Sequence, residues 1–504
     1  MRKVSVKNIQ NGNSAEFLST GVRGLDDILR GGLTRDRLFL LEGSPGAGKT
    51  TLALQFLLEG VKSSDPVLYI TLSETAVELK AVALAHGWSL NGVYIHEVLP
   101  SESILNPAEQ YSVFAPSDVE MGATTREILE VVEKIKPARV VLDSLSELQL
   151  LASNPLLYRR QVLAFKQFFA TRSCTTLFLD DRTASNEGDL QVRSIAHGVI
   201  SLERMATDYG GTRRRLEIIK YRGIAFREGL HDYKIQHGGL EVFPRLVAAE
   251  TRRQVEQRQF SSGIEELDTM LGGGLEEGSS TLIAGPSGVG KSTLAAQFIH
   301  SGLLQGLQAS LFLFEESASN LLNRTDNLGL SLREHLDDGR MAVHQIDPAQ
   351  LTPGEFIHMV CRAADSGTKV VVIDSLNGFL QSMPNEKLLA IHMHELLTYL
   401  GQRGVVTILV GVQQGMLGSN MSTAIDATYL ADNVLLLRYF ESQGEVQQAL
   451  SIFKKRGSQH ERTIRRMIIS PQGLQIGAVL KHFHGILTGV PKLIGQPSAT
   501  SNEL

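Results

Sequence analysis

Two stretches of this sequence have the residue types and spacing to hold a chain of phosphates. Gly43-Ser44-Pro45-Gly46-Ala47-Gly48-Lys49-Thr50 and Gly285-Pro286-Ser287-Gly288-Val289-Gly290-Lys291-Ser292 both fit G-x-x-x-x-G-K-[ST], each after an apolar run and before a helix-forming one. Such glycines let backbone N–H groups converge on phosphate oxygens at a helix N-terminus. Lys49 and Lys291 bring charge to the β- and γ-phosphates, and Thr50 and Ser292, followed by Thr51 and Thr293, offer hydroxyls to a Mg²⁺ ion. A glycine-rich turn with a surface lysine explains one bare match. It does not explain two in register, because no structural turn needs the lysine–hydroxyl pair.

Asp143 and Asp374 each close a short apolar run, 139–142 and 370–373, and each is followed by Ser-Leu. A carboxylate at the mouth of a buried parallel strand stands where a nucleotide's metal shell needs one; its plainer role is to open a turn. Hydrolysis or phosphoryl transfer also needs a carboxylate to orient the attacking oxygen. Phe314-Glu315-Glu316-Ser317 supplies it twice, whereas Leu72-Ser73-Glu74-Thr75 has Glu74 alone. The competing role for these acids is to favour a helix N-terminus, with Ser73 as its cap. Lys220 and Arg222, like Lys454 and Arg456, are separated by one residue, so on an extended strand both face the same way and could reach a phosphate held by an adjoining subunit. Charges that protect an edge strand are the alternative.

The elements that must position these residues occur twice. Thr20-Gly21-Val22-Arg23-Gly24-Leu25-Asp26 is answered by Ser262-Gly263-Ile264-Glu265-Glu266-Leu267-Asp268, and the offset of 242 residues also carries Gly43 to Gly285 and Lys49 to Lys291. Within each copy, β-rich apolar runs alternate with helical patterns, which predicts an α/β fold with mostly parallel central sheets. Later runs without intervening long helices, ending at the turn signals Gly238-Gly239 and Pro471-Gln472-Gly473, predict an antiparallel extension. The expected domains are residues 14–250 and 255–485, with a flexible tail over 486–504.

Composition narrows the function classes. Forty-nine Lys and Arg against 54 Asp and Glu leave a net charge of −5, so no overall positive field recruits nucleic acid or acidic membrane. Cys174 and Cys361 are the only cysteines, which argues against a disulfide framework and suits a reducing cytoplasm. No apolar run is long enough to span a membrane, and the start lacks a secretory signal, so a cytoplasmic location is expected. His392 with His394, and His482 with His484, lack further ligands nearby to complete a zinc set.

The paired starts, both phosphate loops, Glu315-Glu316-Ser317, Ile373-Asp374-Ser375-Leu376-Asn377-Gly378 and Lys454-x-Arg456-Gly457-Ser458-x-His460 together resemble the KaiC family, the double-domain members of the RecA-like ATPases, over nearly the whole chain. The resemblance implies two tandem RecA-like P-loop NTPase domains and a homo-oligomeric ring, usually a hexamer, with ATP and Mg²⁺ at subunit interfaces. It implies ATP hydrolysis in the first domain and serine/threonine autophosphorylation in the second. It makes Glu315 and Glu316 catalytic and sends Lys454, Arg456, Ser458 and His460 to the neighbour's nucleotide. A signalling partner, KaiB-like or another, is implied too.

Three departures stand out. Ser73 replaces the first glutamate of the first domain's pair, so weak hydrolysis is expected there. Ile224-Ala225-Phe226 follows Lys220-x-Arg222-Gly223 where the family has a polar residue and histidine. The acceptor pair of the clock proteins falls on Thr428-Tyr429, with Ser422 and Thr423 as reserve phosphoacceptors. Two other classes remain: a RecA- or DnaB-like DNA-dependent ATPase, and a nucleotide-sensing scaffold without turnover. The loops that would touch DNA, residues 180–195 and 413–432, each carry a net charge of −2, which repels a phosphate backbone. Arg213-Arg214-Arg215 is a dense basic run.

Overall fold

The computed structural model describes residues 16–98, 116–152, 154–182, 189–206, 210–251, 258–381, 388–412, 427–486 and 492–493. The chain divides into two compact units, Met1–Arg245 and Leu246–Leu504. Each is built on a nine-stranded sheet.

In the first unit the sheet strands, in chain order, are β1 Leu38–Gly43, β2 Val67–Thr71, β3 Val93–Glu97, β4 Arg139–Asp143, β5 Thr175–Asp181, β6 Gly198–Met205, β7 Arg213–Tyr221, β8 His231–Gln236 and β9 Gly239–Phe243. Their spatial order is β9-β8-β7-β6-β1-β5-β4-β2-β3. Strands β1 to β6 run parallel, and β7 to β9 continue the sheet antiparallel. The second unit repeats this with β10 Ser280–Gly285, β11 Gln308–Leu313, β12 Met341–Gln345, β13 Thr368–Asp374, β14 Val406–Val412, β15 Asn433–Ser442, β16 Glu445–Lys455, β17 Ile464–Ser470 and β18 Gly473–Val479. Their order is β12-β11-β13-β14-β10-β15-β16-β17-β18. The α/β class, the parallel core and the antiparallel extension are therefore as the sequence predicts.

The outer parallel strands β3 and β12 are additions to that reading. Val93-Tyr94-Ile95-His96-Glu97 and Met341-Ala342-Val343-His344-Gln345 are largely half-buried. An edge strand pairs on one side only, so it needs no continuous apolar run and leaves a weak trace in sequence.

Side chains alternate across each sheet because the strand period is two. On β1, Phe39 and Leu41 enter one core while Leu38 and Leu40 enter another. On β10, Ile283 faces one core and Leu282 and Ala284 the other. The first core packs against helix α1, Lys49–Lys62, and its counterpart in the second unit against helix α2, Lys291–Leu304. Each helix starts where its phosphate loop ends.

One buried charge locks the first unit. Arg139, 2% exposed at the start of β4, donates to the carbonyls of Ser19 at 2.8 Å and Phe56 at 3.0 Å and to Asp65 Oδ2 at 3.2 Å. Gly60 makes the room, since a Cβ there would lie 2.7 Å from Arg139 Cδ. Val370 and Gly302 meet at the corresponding place in the second unit. Arg139→Ala orphans two carbonyls and a carboxylate and opens a cavity, so it is expected to cost about 3–5 kcal/mol. Urea unfolding of the full chain checks this: an unchanged midpoint for the first unit's transition would contradict it.

Candidate functional site

The parallel strands bring the chemical residues to one edge of each sheet, at their C-terminal ends. Gly43 at the end of β1 is opposite Asp181 of β5, and Thr71 of β2 is opposite Asp143 of β4. Leu313 of β11 is opposite Asp374 of β13 in the same way. In open α/β sheets this edge is where ligands bind.

Both loops keep a shape that only glycine supports. Gly46 and Gly48 have φ of 76° and 99°, and Gly288 and Gly290 have 78° and 102°. A Cβ on Gly48 would lie 2.5 Å from Ile235 Cδ1, and one on Gly290 2.5 Å from Ile469 Cδ1. Gly48 and Gly290 are the N-cap residues of helices α1 and α2, which have no side-chain cap. Their first N–H groups therefore have no capping partner and point at the loop, which is the donor set a phosphate chain requires. These observations fit a nucleotide at Gly43–Thr51 and Gly285–Thr293.

The two copies differ in what surrounds the lysine. In the first, Lys49 Nζ donates to the carbonyls of Gly43 at 2.9 Å and Ser44 at 3.4 Å and forms an ion pair with Asp181 Oδ1 at 2.6 Å. Asp143 accepts a 2.5 Å hydrogen bond from the Tyr69 hydroxyl. Burial pushes the Asp143 carboxyl up, opposed by that hydrogen bond and by Lys49; burial and Asp143 push the Tyr69 phenol well above its ordinary value. Glu74 Oε2 is buried without a hydrogen-bond partner, and burial and Asp143 raise its carboxyl as well. The helix that follows is capped by Thr75, in a capping box with Glu78. The expectation that Ser73 is the cap is thereby corrected: the cap falls two residues later, because only Thr75 has its N3 glutamate in place to reciprocate.

In the second copy Lys291 Nζ donates to the Pro286 carbonyl at 2.7 Å. Burial lowers the Lys291 ammonium, opposed by Asp374 and Glu315. Burial raises the Asp374 carboxyl, a hydrogen bond from Ser292 opposes this, and Glu316 and Glu315 add to it. A hydroxyl and a desolvated carboxylate side by side suit Mg²⁺, which takes one or two protein oxygens and completes its shell with phosphates and water. Thr50 and Asp143 stand at the corresponding positions of the first copy, where Tyr69 also touches the group.

The paired glutamates part company. Glu315 Oε1 accepts from Ser375 Oγ at 2.8 Å, beside Asp374, whereas Glu316 Oε1 accepts from Arg324 Nη1 at 2.7 Å. Ser317 caps the next helix through Asn320 N, so neither glutamate does. Glu315 is therefore the acid that also reaches Lys291, while both glutamates are near enough to raise the Asp374 carboxyl.

The cations expected to reach an adjoining subunit are engaged within their own chain. Lys454 Nζ donates to the carbonyls of Thr428 at 2.8 Å and Ala431 at 2.7 Å, and Arg456 contacts the Tyr429 carbonyl at 3.4 Å and Asp432 at 3.5 Å. The first copy matches: Lys220 donates to the Arg193 carbonyl and Arg222 to the Ser194 carbonyl at 2.6 Å. Ser458 donates to Glu276 Oε1 at 2.9 Å, and His460 is half-buried. Thr428 and Tyr429 lie in a short 3₁₀ turn, with Tyr429 exposed. Ser422 and Thr423 fall outside the described residues. Of the basic run on β7, Arg215 pairs with Asp232 at 3.6 Å.

Sequence reasoning missed Asp181 and Tyr69 as site residues, and Arg324 and Ser375 as the partners that separate the two glutamates. The duplication itself carried a signal: at the aligned positions the second copy has Val412 for Asp181 and Leu311 for Tyr69.

Comparison with known proteins gives a consistent picture. The family model "ATPase: KaiC" matches residues 18–247 and again 260–481. The circadian clock oscillator protein KaiC of Thermostichus vulcanus is 28% identical over 97% of this chain and 95% of its own length. That of Acaryochloris marina is 27% identical over 96% and 93%. The circadian clock protein KaiC3 of Synechocystis sp. is 26% identical over 97% of both. Among the described residues, no helix is long and apolar enough to cross a membrane.

Proposed function

The chain belongs to the KaiC ATPase family, and from that premise we propose that it is a cytoplasmic, two-tier ATPase ring, a homo-hexamer, whose second domain transfers the γ-phosphoryl group of ATP to its own hydroxyls. The two repeats, residues 14–250 and 255–485, each take one ATP. The phosphorylated state then reports to a signalling partner, in a clock-like response, as the names of the clock relatives suggest, or in a stress response.

The observation that carries this reading is the placement of Glu315. It is held by Ser375 next to Asp374 and close enough to Lys291 to influence its charge. In the proposed reaction Lys291 draws charge off the β- and γ-phosphates, and the loop N–H groups hold the chain in line. Ser292 and Asp374 would hold Mg²⁺, which would supply positive charge against the phosphates. Glu315 accepts the proton of the attacking hydroxyl as its oxygen bonds to the γ-phosphorus and the bond to the ADP oxygen breaks. Thr428 is the preferred acceptor, with Tyr429, Ser422 and Thr423 next. In the first domain Glu74 alone orients water, which supports slower hydrolysis.

Incubation with ATP and Mg²⁺ followed by phosphosite mapping tests this. Label on Thr428 or its neighbours, lost in Glu315→Gln, is the expected result. Turnover without label leaves an ATPase only, and stimulation by single-stranded DNA favours a recombinase-like role. Size-exclusion chromatography with and without ATP tests the ring.

A further inference from the structure

The first copy's phosphate-loop lysine already has an anionic partner. Lys49 Nζ lies 2.6 Å from Asp181 Oδ1, and the lysine side chain is 9% exposed against 39% for the aspartate. Asp181 ends β5, in register with Gly43 at the start of the phosphate loop. Its negative charge also reaches Asp143 and Glu74, so three carboxylates gather around one ammonium. The second copy has Val412 in register with Gly285, and Lys291 satisfies itself on the Pro286 carbonyl instead. A carbonyl is a neutral acceptor that a phosphate readily outbids, while a carboxylate at ion-pair distance is a direct rival.

We propose that Asp181 is a built-in competitor for Lys49 that sets the ATP affinity of the first copy. It is a positioning residue: it parks the lysine away from the phosphates, and ATP must displace it before the ammonium can reach the γ end. The apparent affinity falls in proportion to the fraction of protein with a free lysine. This rests on the reading above that the first copy binds ATP. It adds that the two copies differ in nucleotide affinity through one carboxylate.

The test uses the full chain carrying Lys291→Ala to weaken the second site, titrated with a fluorescent ATP analogue in the presence of Mg²⁺. Asp181→Asn and Asp181→Ala are each expected to tighten binding about tenfold. Asp181→Glu, which keeps the charge, is expected to stay near the parent. Misfolding loosens binding, so a gain of affinity is not produced by a damaged protein. Unchanged or weaker binding in both neutral variants, with the parent binding normally, overturns the proposal. Failure of the parent itself to bind overturns the reading on which it rests.

Discussion

Lys291→Ala is expected to lower ATP turnover and self-labelling by the second copy by at least about a hundredfold, the scale of losing one preorganised charge at a transition state. The ammonium is buried within the loop and held 2.7 Å from the Pro286 carbonyl, with Asp374 and Glu315 nearby. Charge that spreads over the γ-phosphoryl oxygens during transfer needs a fixed cation there, and water cannot replace it in a desolvated pocket. The same change in the first copy, Lys49→Ala, is expected to remove a smaller share of total turnover, because Ser73 leaves that copy with Glu74 alone. Initial rates of phosphate release and labelling measure both. Wild-type labelling in Lys291→Ala, with an unchanged melting temperature, would rule out this lysine as the phosphate-binding group.

The second large effect distinguishes two adjacent glutamates. Glu315→Gln is expected to slow phosphoryl transfer by about 10²–10⁴-fold, the usual contribution of a positioned general base, while Glu316→Gln costs less than about tenfold. Their hydrogen-bond partners give the reason. Ser375 holds Glu315 beside Asp374, whereas Arg324 pairs with Glu316. Loss of that ion pair, half in solvent, removes little stability and no proton acceptor. Arg324→Met should therefore resemble Glu316→Gln. Single-turnover rates under saturating ATP separate the variants, and the reverse ranking would show that the second glutamate faces the phosphate.

How much of the site could be read from the sequence depended on whether its chemistry was local. The phosphate loops were legible because backbone N–H groups can converge only where Gly46, Gly48, Gly288 and Gly290 take left-handed φ, and the lysine and hydroxyl must follow at once. Asp143 and Asp374 were legible because each ends a buried apolar run. Strands β3 and β12 were not, since an edge strand imposes little pattern. The cations at 220, 222, 454 and 456 were expected at a neighbour's phosphate, but spacing along a strand does not name what lies opposite, and the strands end at Tyr221 and Lys455. In this chain carbonyls at Arg193, Ser194, Thr428, Tyr429 and Ala431 stand opposite them.

By itself, the sequence determined that there are two copies of one α/β architecture, each with a phosphate cradle and a carboxylate at the end of a parallel strand, because these demands act within a few residues. Only the tertiary structure decided which groups compete for the lysines and which glutamate faces them. Lys49 and Asp181 are 132 residues apart and meet solely because β5 pairs beside β1. Glu315 and Glu316 are chain neighbours, and they are separated by Ser375 and Arg324, which the fold delivers from different elements.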